Sequence, residues 1–272
     1  MNRITQTFRR LQLEGKSAMI AFITAGDPTL KSTVKIALEL EKAGVDILEL
    51  GIPFSDPLAD GPIIQAASNR ALKAGASVQA VIELVREIRR ESELPIVLFT
   101  YLNPVYIYGF DRFQSDASEA GADGLLLLDL PPQEADRNAE LATKNGVDHL
   151  LSIRLIAPTT PTSRLLEITN SAEGFIYYVS REGVTGEQST LSNDIAGRLE
   201  VIRRVTKIPL VVGFGISTPE QAAVVGGLSD GVVIGSAIVR QIGEIGDVPD
   251  LPKRIGEFVR PIAEAVSKSK HD

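Results

Sequence analysis

Cysteine is absent from this chain, and histidine occurs only twice, at His149 and His271. The first absence excludes thiolate nucleophiles, disulfides and cysteine-based zinc or iron–sulfur sites, and it fits a reducing compartment. The scarcity of histidine, with His271 in a polar tail, argues against a His-rich metal site or a serine triad. Acid–base work then falls to Asp, Glu, Tyr or Lys. No basic stretch stands out against the net charge of -7, which argues against nucleic acid as a partner. An anionic ligand would have to be held locally by backbone N–H groups. No apolar run approaches a bilayer span, and the first residues lack the unbroken apolar core of a secretory signal. The expected location is the cytoplasm, or an organelle whose transit peptide has been removed.

What is present is ordinary for a globular protein: 44% hydrophobic and 23% charged residues in 272. A chain of this length buries a sizeable core without a disulfide or metal staple. Ile4, Phe8 and Leu11 recur at helical spacing, so the first segment reads as an amphipathic helix. Short continuous apolar runs follow at 18–24, 46–50, 95–100, 124–128, 149–155, 174–179, 209–212 and 231–234. Helical patterns separate them, at 30–43, 62–74, 78–90, 104–120, 133–145, 161–171, 194–205 and from 219, with further helix to about 267. Strands that are apolar throughout are covered on both faces. Eight alternations of this kind predict one (β/α)₈ barrel domain over 1–272 with an extra N-terminal helix. An open doubly wound sheet is the alternative, and it fits less well because no unit reads as an edge.

In such a barrel the active site lies at the C-terminal strand ends and the loops after them. Glu49 sits inside the apolar run Leu48-Glu49-Leu50, where burial raises a carboxyl pKa toward the range useful for proton transfer. It is either an acid/base or one half of a salt bridge in the barrel's polar layer. Asp60, in the Ser/Asp/Pro/Gly-rich loop that follows, is expected to stay wetter and more acidic. Two carboxyls in unlike environments divide acid and base roles; the plainer reading of Asp60 is an N-cap for the helix that Gly61-Pro62 begins.

Three glycine turns follow the last three strands, at Gly183–Gly186, Gly213–Ser217 and Gly235-Ser236. The latter two run into helix N-termini, where anions are favoured, and this is the usual phosphate position in the architecture. Phe22, Phe99, Tyr101, Tyr177 and Phe214 stand at or near strand ends. They are either core packing or the walls of a site for a flat apolar ligand. Asp129 reads as structural, Asn103 and Pro104 stay undecided, and Arg154 inside an apolar strand has no explanation at this level.

The fourteen residues Leu-Glu-Leu-Gly-Ile-Pro-Phe-Ser-Asp-Pro-Leu-Ala-Asp-Gly at 48–61 resemble the signature of the tryptophan synthase alpha chain family. The resemblance continues through Phe-Ile-Thr-Ala-Gly-Asp-Pro at 22–28, Ala-Pro-Thr-Thr-Pro at 157–161, Gly-Val-Thr-Gly at 183–186 and Gly-Phe-Gly-Ile-Ser at 213–217. It implies a (β/α)₈ barrel that cleaves indole-3-glycerol phosphate to indole and glyceraldehyde 3-phosphate. It also implies that Glu49 is the main acid/base, that Asp60 engages the indole N–H, and that Tyr177 lies beside the reacting centre. Gly186, Gly215, Gly235 and Ser236 match the phosphate positions, with Tyr101 assigned to the substrate side as well. Thr185 matches a loop threonine that hydrogen-bonds Asp60 on closure, and Phe22 and Phe214 match positions flanking the indole.

The same resemblance implies a beta-chain partner that receives indole through a tunnel, in an alpha2beta2 heterotetramer. Pyridoxal phosphate belongs to that partner, with no cofactor or metal in this chain. Pro53, Asp56 and Asn103 fall in the inter-subunit region. Phe99, bulkier than the expected aliphatic residue, and Arg154 depart from the pattern. A stand-alone lyase releasing free indole, a catalytically idle barrel that activates a partner, and another phosphosugar barrel remain as alternatives. Intact Glu49 and Asp60 argue against the second, and the third would not require the 48–61 segment.

Overall fold

In the computed structural model, residues 1–131, 134, 150–179, 188–213 and 215–269 are described. The helix expected at 133–145 and both histidines fall outside them. Nine strands form one parallel sheet: β1 (Ala18–Thr24), β2 (Ile47–Gly51), β3 (Ile96–Thr100), β4 (Gly124–Leu127), β5 (Leu151–Ser152), β6 (Arg154–Ile156), β7 (Ile176–Val179), β8 (Leu210–Gly213) and β9 (Gly231–Ile234). The described helices are α1 (Arg3–Glu14), α2 (Leu30–Lys42), α3 (Pro62–Lys73), α4 (Val78–Arg89), α5 (Leu102–Tyr108), α6 (Phe110–Ala120), α7 (Thr162–Asn170), α8 (Gln188–Arg203), α9 (Pro219–Gly226), α10 (Ser236–Ile245) and α11 (Leu251–Lys268). None of them is long and apolar enough to cross a membrane.

The first and last strands lie side by side, Ala18–Ala21 of β1 against Gly231–Ile234 of β9, so the sheet is a barrel and not an open doubly wound array. Its remaining seam is the fifth expected strand, which is split at Ile153. The first half pairs with β4 and the second with β7. One residue therefore separates the two ends of the ring, and the (β/α)₈ architecture holds.

Alternation along each strand divides the apolar residues between two cores. Ile20, Ile47, Val97, Leu126, Ile153, Phe175, Val211 and Val233 fill the barrel interior. Ile23, Leu48, Leu50, Leu98, Ile176, Val212 and Ile234 pack outward against the helices. Because both faces are buried, the strands read as unbroken apolar runs.

The interior is closed at the N-terminal strand ends by α1. Asn2 caps it by accepting from the Ile4 N–H (2.9 Å), and Gly15 ends it in the left-handed region (φ 64°). Ile4, Phe8 and Leu11 on its buried face join the barrel core, with the Phe8 ring 5.7 Å from that of Phe175. Asp123, buried just before β4, fixes this end: it accepts from Arg3, Arg89 and the Ile96 N–H.

Three sequence expectations shift. The stretch ending at 120 is two helices, because Gly109 (φ 98°) breaks it, and the final helical region is interrupted at Gly246 (φ 74°). Helix α8 begins at Gln188, six residues before the expected 194, because the polar run 188–193 carries no apolar periodicity to announce it. Arg154 faces outward in β6, in register with Ile176, and its Nε donates to the carbonyl of Ser171 (3.4 Å) just past α7, where helix carbonyls favour a cation.

Truncating the plug tests its role. Phe8→Ala is expected to lower the unfolding free energy by about 3 kcal/mol, read from the urea midpoint, while leaving the distant cavity's ligand binding intact.

A candidate active site at the C-terminal mouth

At the opposite end of the barrel a cavity of about 540 Å³ opens among the loops. Its floor includes Phe22, Glu49 and Tyr177, its near wall Asp60 and Ile64, and its far wall Gly215, Gly235 and Ser236. The structure thus brings together seven of the sequence-predicted site residues. Thr185, Gly186 and Phe214 lie outside the described residues.

Glu49 is on β2 in register with Phe22 of β1 and Val97 of β3, so its side chain points inward while Leu48 and Leu50 point to the outer core. It is 1% exposed, and its Oε1 has no hydrogen-bond partner. Among the described residues it forms no ion pair, so the salt-bridge reading finds no support. Burial alone pushes its pKa up to about 8. A carboxyl in this state is protonated at neutral pH yet within reach of ionisation.

Tyr177 enters from β7. Burial, with the neighbouring Glu49 charge adding to it, holds its phenol well above the ordinary value, so it stays neutral. Its ring lies against Gly213 of β8, where any Cβ would collide with the hydroxyl. In the same way Gly51 leaves room for the Phe22 ring, whose Cζ would stand 2.7 Å from an added Cβ. Phe22 in turn meets Phe99 edge-on at 5.1 Å, so the bulky Phe99 serves as a wall of the cavity.

Asp60 is the less buried and the more acidic of the two carboxyls, in the direction the sequence predicts, but its plainer reading as a cap fails. It is not the cap of α3, whose N-cap is Gly61 with no side-chain hydrogen bond. Nor is it simply wet: burial pushes its pKa up to about 6, opposed by a hydrogen bond from the Tyr101 hydroxyl. Tyr101 does not line the cavity. It stands behind the loop, packs on Phe54 at 5.5 Å, and its oxygen accepts the Ala59 N–H at 3.0 Å. Asp129 proves structural, accepting from the Leu102 N–H (2.7 Å) at the start of α5.

On the far wall the two helix ends differ. Helix α9 is already capped, by Thr218 and Gln221 in a reciprocal box. Helix α10 begins after Gly235 with no side-chain cap, so its first N–H groups face the cavity unclaimed. Gly215, at φ 75°, turns the chain between β8 and α9 in a conformation that favours glycine.

Of the interface candidates, Asp56 and Asn103 are exposed and Pro53 is buried in its loop. Near them in sequence Leu58, Tyr106 and Ile107 are 95%, 74% and 77% exposed. The sequence reading missed Ile64 and Arg240 in the cavity wall, and it named Ser217 only as the end of a glycine turn. Arg240 carried no signal of its own, since a cation four residues beyond Ser236 on an amphipathic helix is ordinary. Among the described residues no group of His, Asp or Glu is clustered to hold a metal ion.

A family model described as Tryptophan synthase alpha chain matches residues 8–266. The chain is similar to the tryptophan synthase alpha chain of Citrifermentans bemidjiense, 47% identical over 268 residues that cover 98% of this chain and 99% of that one. It is also similar to the alpha chain of Opitutus terrae, 48% identical with 90% and 91% covered. Among solved structures, tryptophan synthase subunit alpha from Legionella pneumophila superposes with a TM-score of 0.88 at 41% identity, covering 98% of each chain. A chain in a tryptophan synthase complex from Pyrococcus furiosus does so at 0.81 and 36% identity, covering 92% of this chain and 99% of that one.

The raised pKa of Glu49 has a signed consequence for stability. An exposed glutamate loses its proton near 4.5, whereas in the fold Glu49 keeps it up to about 8. The folded state binds the extra proton in that window, so stability falls as pH rises through it. Glu49→Gln lacks this titration. Its unfolding free energy, read from urea melts, is expected to gain on that of the parent between about pH 5 and pH 8, by on the order of 4 kcal/mol at the upper end. For Gly213→Ala the displaced Tyr177 ring is expected to lower kcat by at least about tenfold with the fold retained, read by steady-state kinetics and circular dichroism.

Proposed function

Because the chain belongs to the tryptophan synthase alpha chain family, lyases that cleave indole-3-glycerol phosphate in tryptophan biosynthesis, we propose that Glu49 carries the proton on which that cleavage turns. The observation behind this is the buried, unpartnered Glu49 carboxyl, with a pKa near 8, in one cavity with Asp60, near 6.

The reaction is a retro-aldol cleavage giving indole and glyceraldehyde 3-phosphate. The bond from indole C3 to the glycerol chain breaks only when the ring can take up its electron pair. Protonated Glu49 delivers a proton to C3, which converts the ring to an iminium ion. Positive charge then develops on the indole nitrogen. Asp60, ionised at neutral pH, accepts the N–H and stabilises that charge inside a largely water-excluded site. Glu49, now a carboxylate, removes the proton from the adjacent hydroxyl. As the aldehyde forms, the electron pair of the C–C bond returns to the ring and indole is regenerated. Glu49 ends protonated, ready for another cycle.

Tyr177, kept neutral, donates a hydrogen bond at the reacting centre. Phe22 and Phe99 flank the flat ring, and Phe214 is assigned beside them from the family pattern. The phosphate is placed on the backbone of Gly215, Gly235 and Ser236, with Gly186 completing the set and Thr185 closing on Asp60. Every proton transfer is met by a side chain of this chain, so we assign it no cofactor or metal of its own.

The family works with a beta chain. We place that partner on the face carrying Pro53, Asp56 and Asn103, where Leu58, Tyr106 and Ile107 are exposed. An alpha2beta2 assembly with pyridoxal phosphate in the beta chain, working in the cytoplasm, completes the reading. The test is indole release from indole-3-glycerol phosphate by the purified chain, with and without a beta chain. Glu49→Gln is expected to lower kcat by about 10³-fold or more while retaining partner binding; undiminished cleavage by this variant would refute the assignment.

A further inference from the structure

Arg240 is the one cation among the described residues that line the cavity, whose other charged side chains are the carboxyls Glu49 and Asp60. It lies in the second turn of α10, one turn beyond Ser236, and so shares that residue's helix face. Arg240 is exposed at the cavity rim, and because side chains on a helix lean back toward its N-terminus, it is directed toward the turn that holds Gly235 and Ser236. It makes no ion pair or hydrogen bond with the described residues.

That placement is electrostatically incomplete. The N-terminal end of a helix carries about half a positive charge and disfavours a nearby cation. Helix α10 offers nothing to offset it: the N-cap is glycine, no side chain caps the end, and no acidic residue occupies the first turn. A chain of net charge -7 has carboxylates to spare, yet among the described residues none pairs with this arginine. An anion at the helix end would satisfy both the open N–H groups and the guanidinium.

We propose that Arg240 is a substrate-binding residue, supplying the full positive charge that the backbone amides of the phosphate site cannot. The inference rests on the phosphate position assigned above. A phosphate monoester carries close to two negative charges at neutral pH, and a helix end offsets only about half of one. Arg240 neutralises most of the remainder and draws the substrate's phosphate toward the far wall, away from Glu49 and Asp60. Its contribution is the same in the bound substrate and in the transition state, so it appears in KM and not in kcat.

The experiment compares the full-length parent, Arg240→Gln and Arg240→Lys. Cleavage of indole-3-glycerol phosphate is followed at low and high salt, and inhibition is measured with inorganic phosphate and with uncharged indole. In the glutamine variant KM and the inhibition constant for phosphate are expected to rise about tenfold, with kcat and indole inhibition within twofold of the parent. Lysine restores most of the loss, and the parent's salt dependence of kcat/KM flattens in the glutamine variant. Unchanged KM and phosphate inhibition overturn the proposal, as does an equal loss of indole binding, which would mark general damage to the cavity. If the parent itself fails to cleave the substrate, the failure belongs to the functional assignment and not to Arg240.

Discussion

The withdrawal of one carboxyl group from water governs this molecule. Glu49 points into the barrel among Phe22, Val97 and Tyr177, with no cation among the described residues to hold it as an anion. Keeping its proton is far less costly than burying the charge, and so the fold itself makes the acid. The setting depends on small residues as much as large ones. Gly51 admits the Phe22 ring and Gly213 admits Tyr177, so two side chains reach the floor of the cavity because two others are missing. Asp60 is covered less completely and bonded by Tyr101, which leaves its pKa some two units lower, and neutral pH falls between the two groups.

Much of this was legible in the sequence, for identifiable reasons. Strands buried on both faces write themselves as apolar runs, and a glutamate inside such a run is conspicuous. The glycines after the last strands announced open backbone near helix ends. What stayed hidden depended on residues distant in the chain. Asp60 looked like a wet loop residue or a cap because nothing nearby shows that Tyr101, arriving from the end of β3, lies behind it. Arg154 looked anomalous until α7 was seen to end over it with the Ser171 carbonyl to receive its Nε. Arg240 was invisible because a cation on an amphipathic helix is ordinary, and only the cavity wall sets it apart. The difference between the ends of α9 and α10 also needed the structure, since both follow a glycine turn.

The division of labour across the barrel follows from its two ends. At one, α1 and the Asp123 cluster join elements by packing and by paired charges, with each polar group of Asp123 engaged. At the other, polar groups are left open: the Oε1 of Glu49 and the amides at the start of α10, which no described side chain caps. Satisfied groups hold the fold, and unsatisfied ones await a ligand.

The helical plug has a consequence for traffic. With Ile4, Phe8 and Leu11 seated under a solid interior of Ile20, Ile47, Val97 and Phe175, the chamber above Glu49 is a cul-de-sac with no rear passage. Among the described residues, the chamber opens on the side of the C-terminal strand ends and not through the plugged end. Whatever the chamber takes up or releases passes among the loops that follow the strands, so those loops set the order of entry and exit.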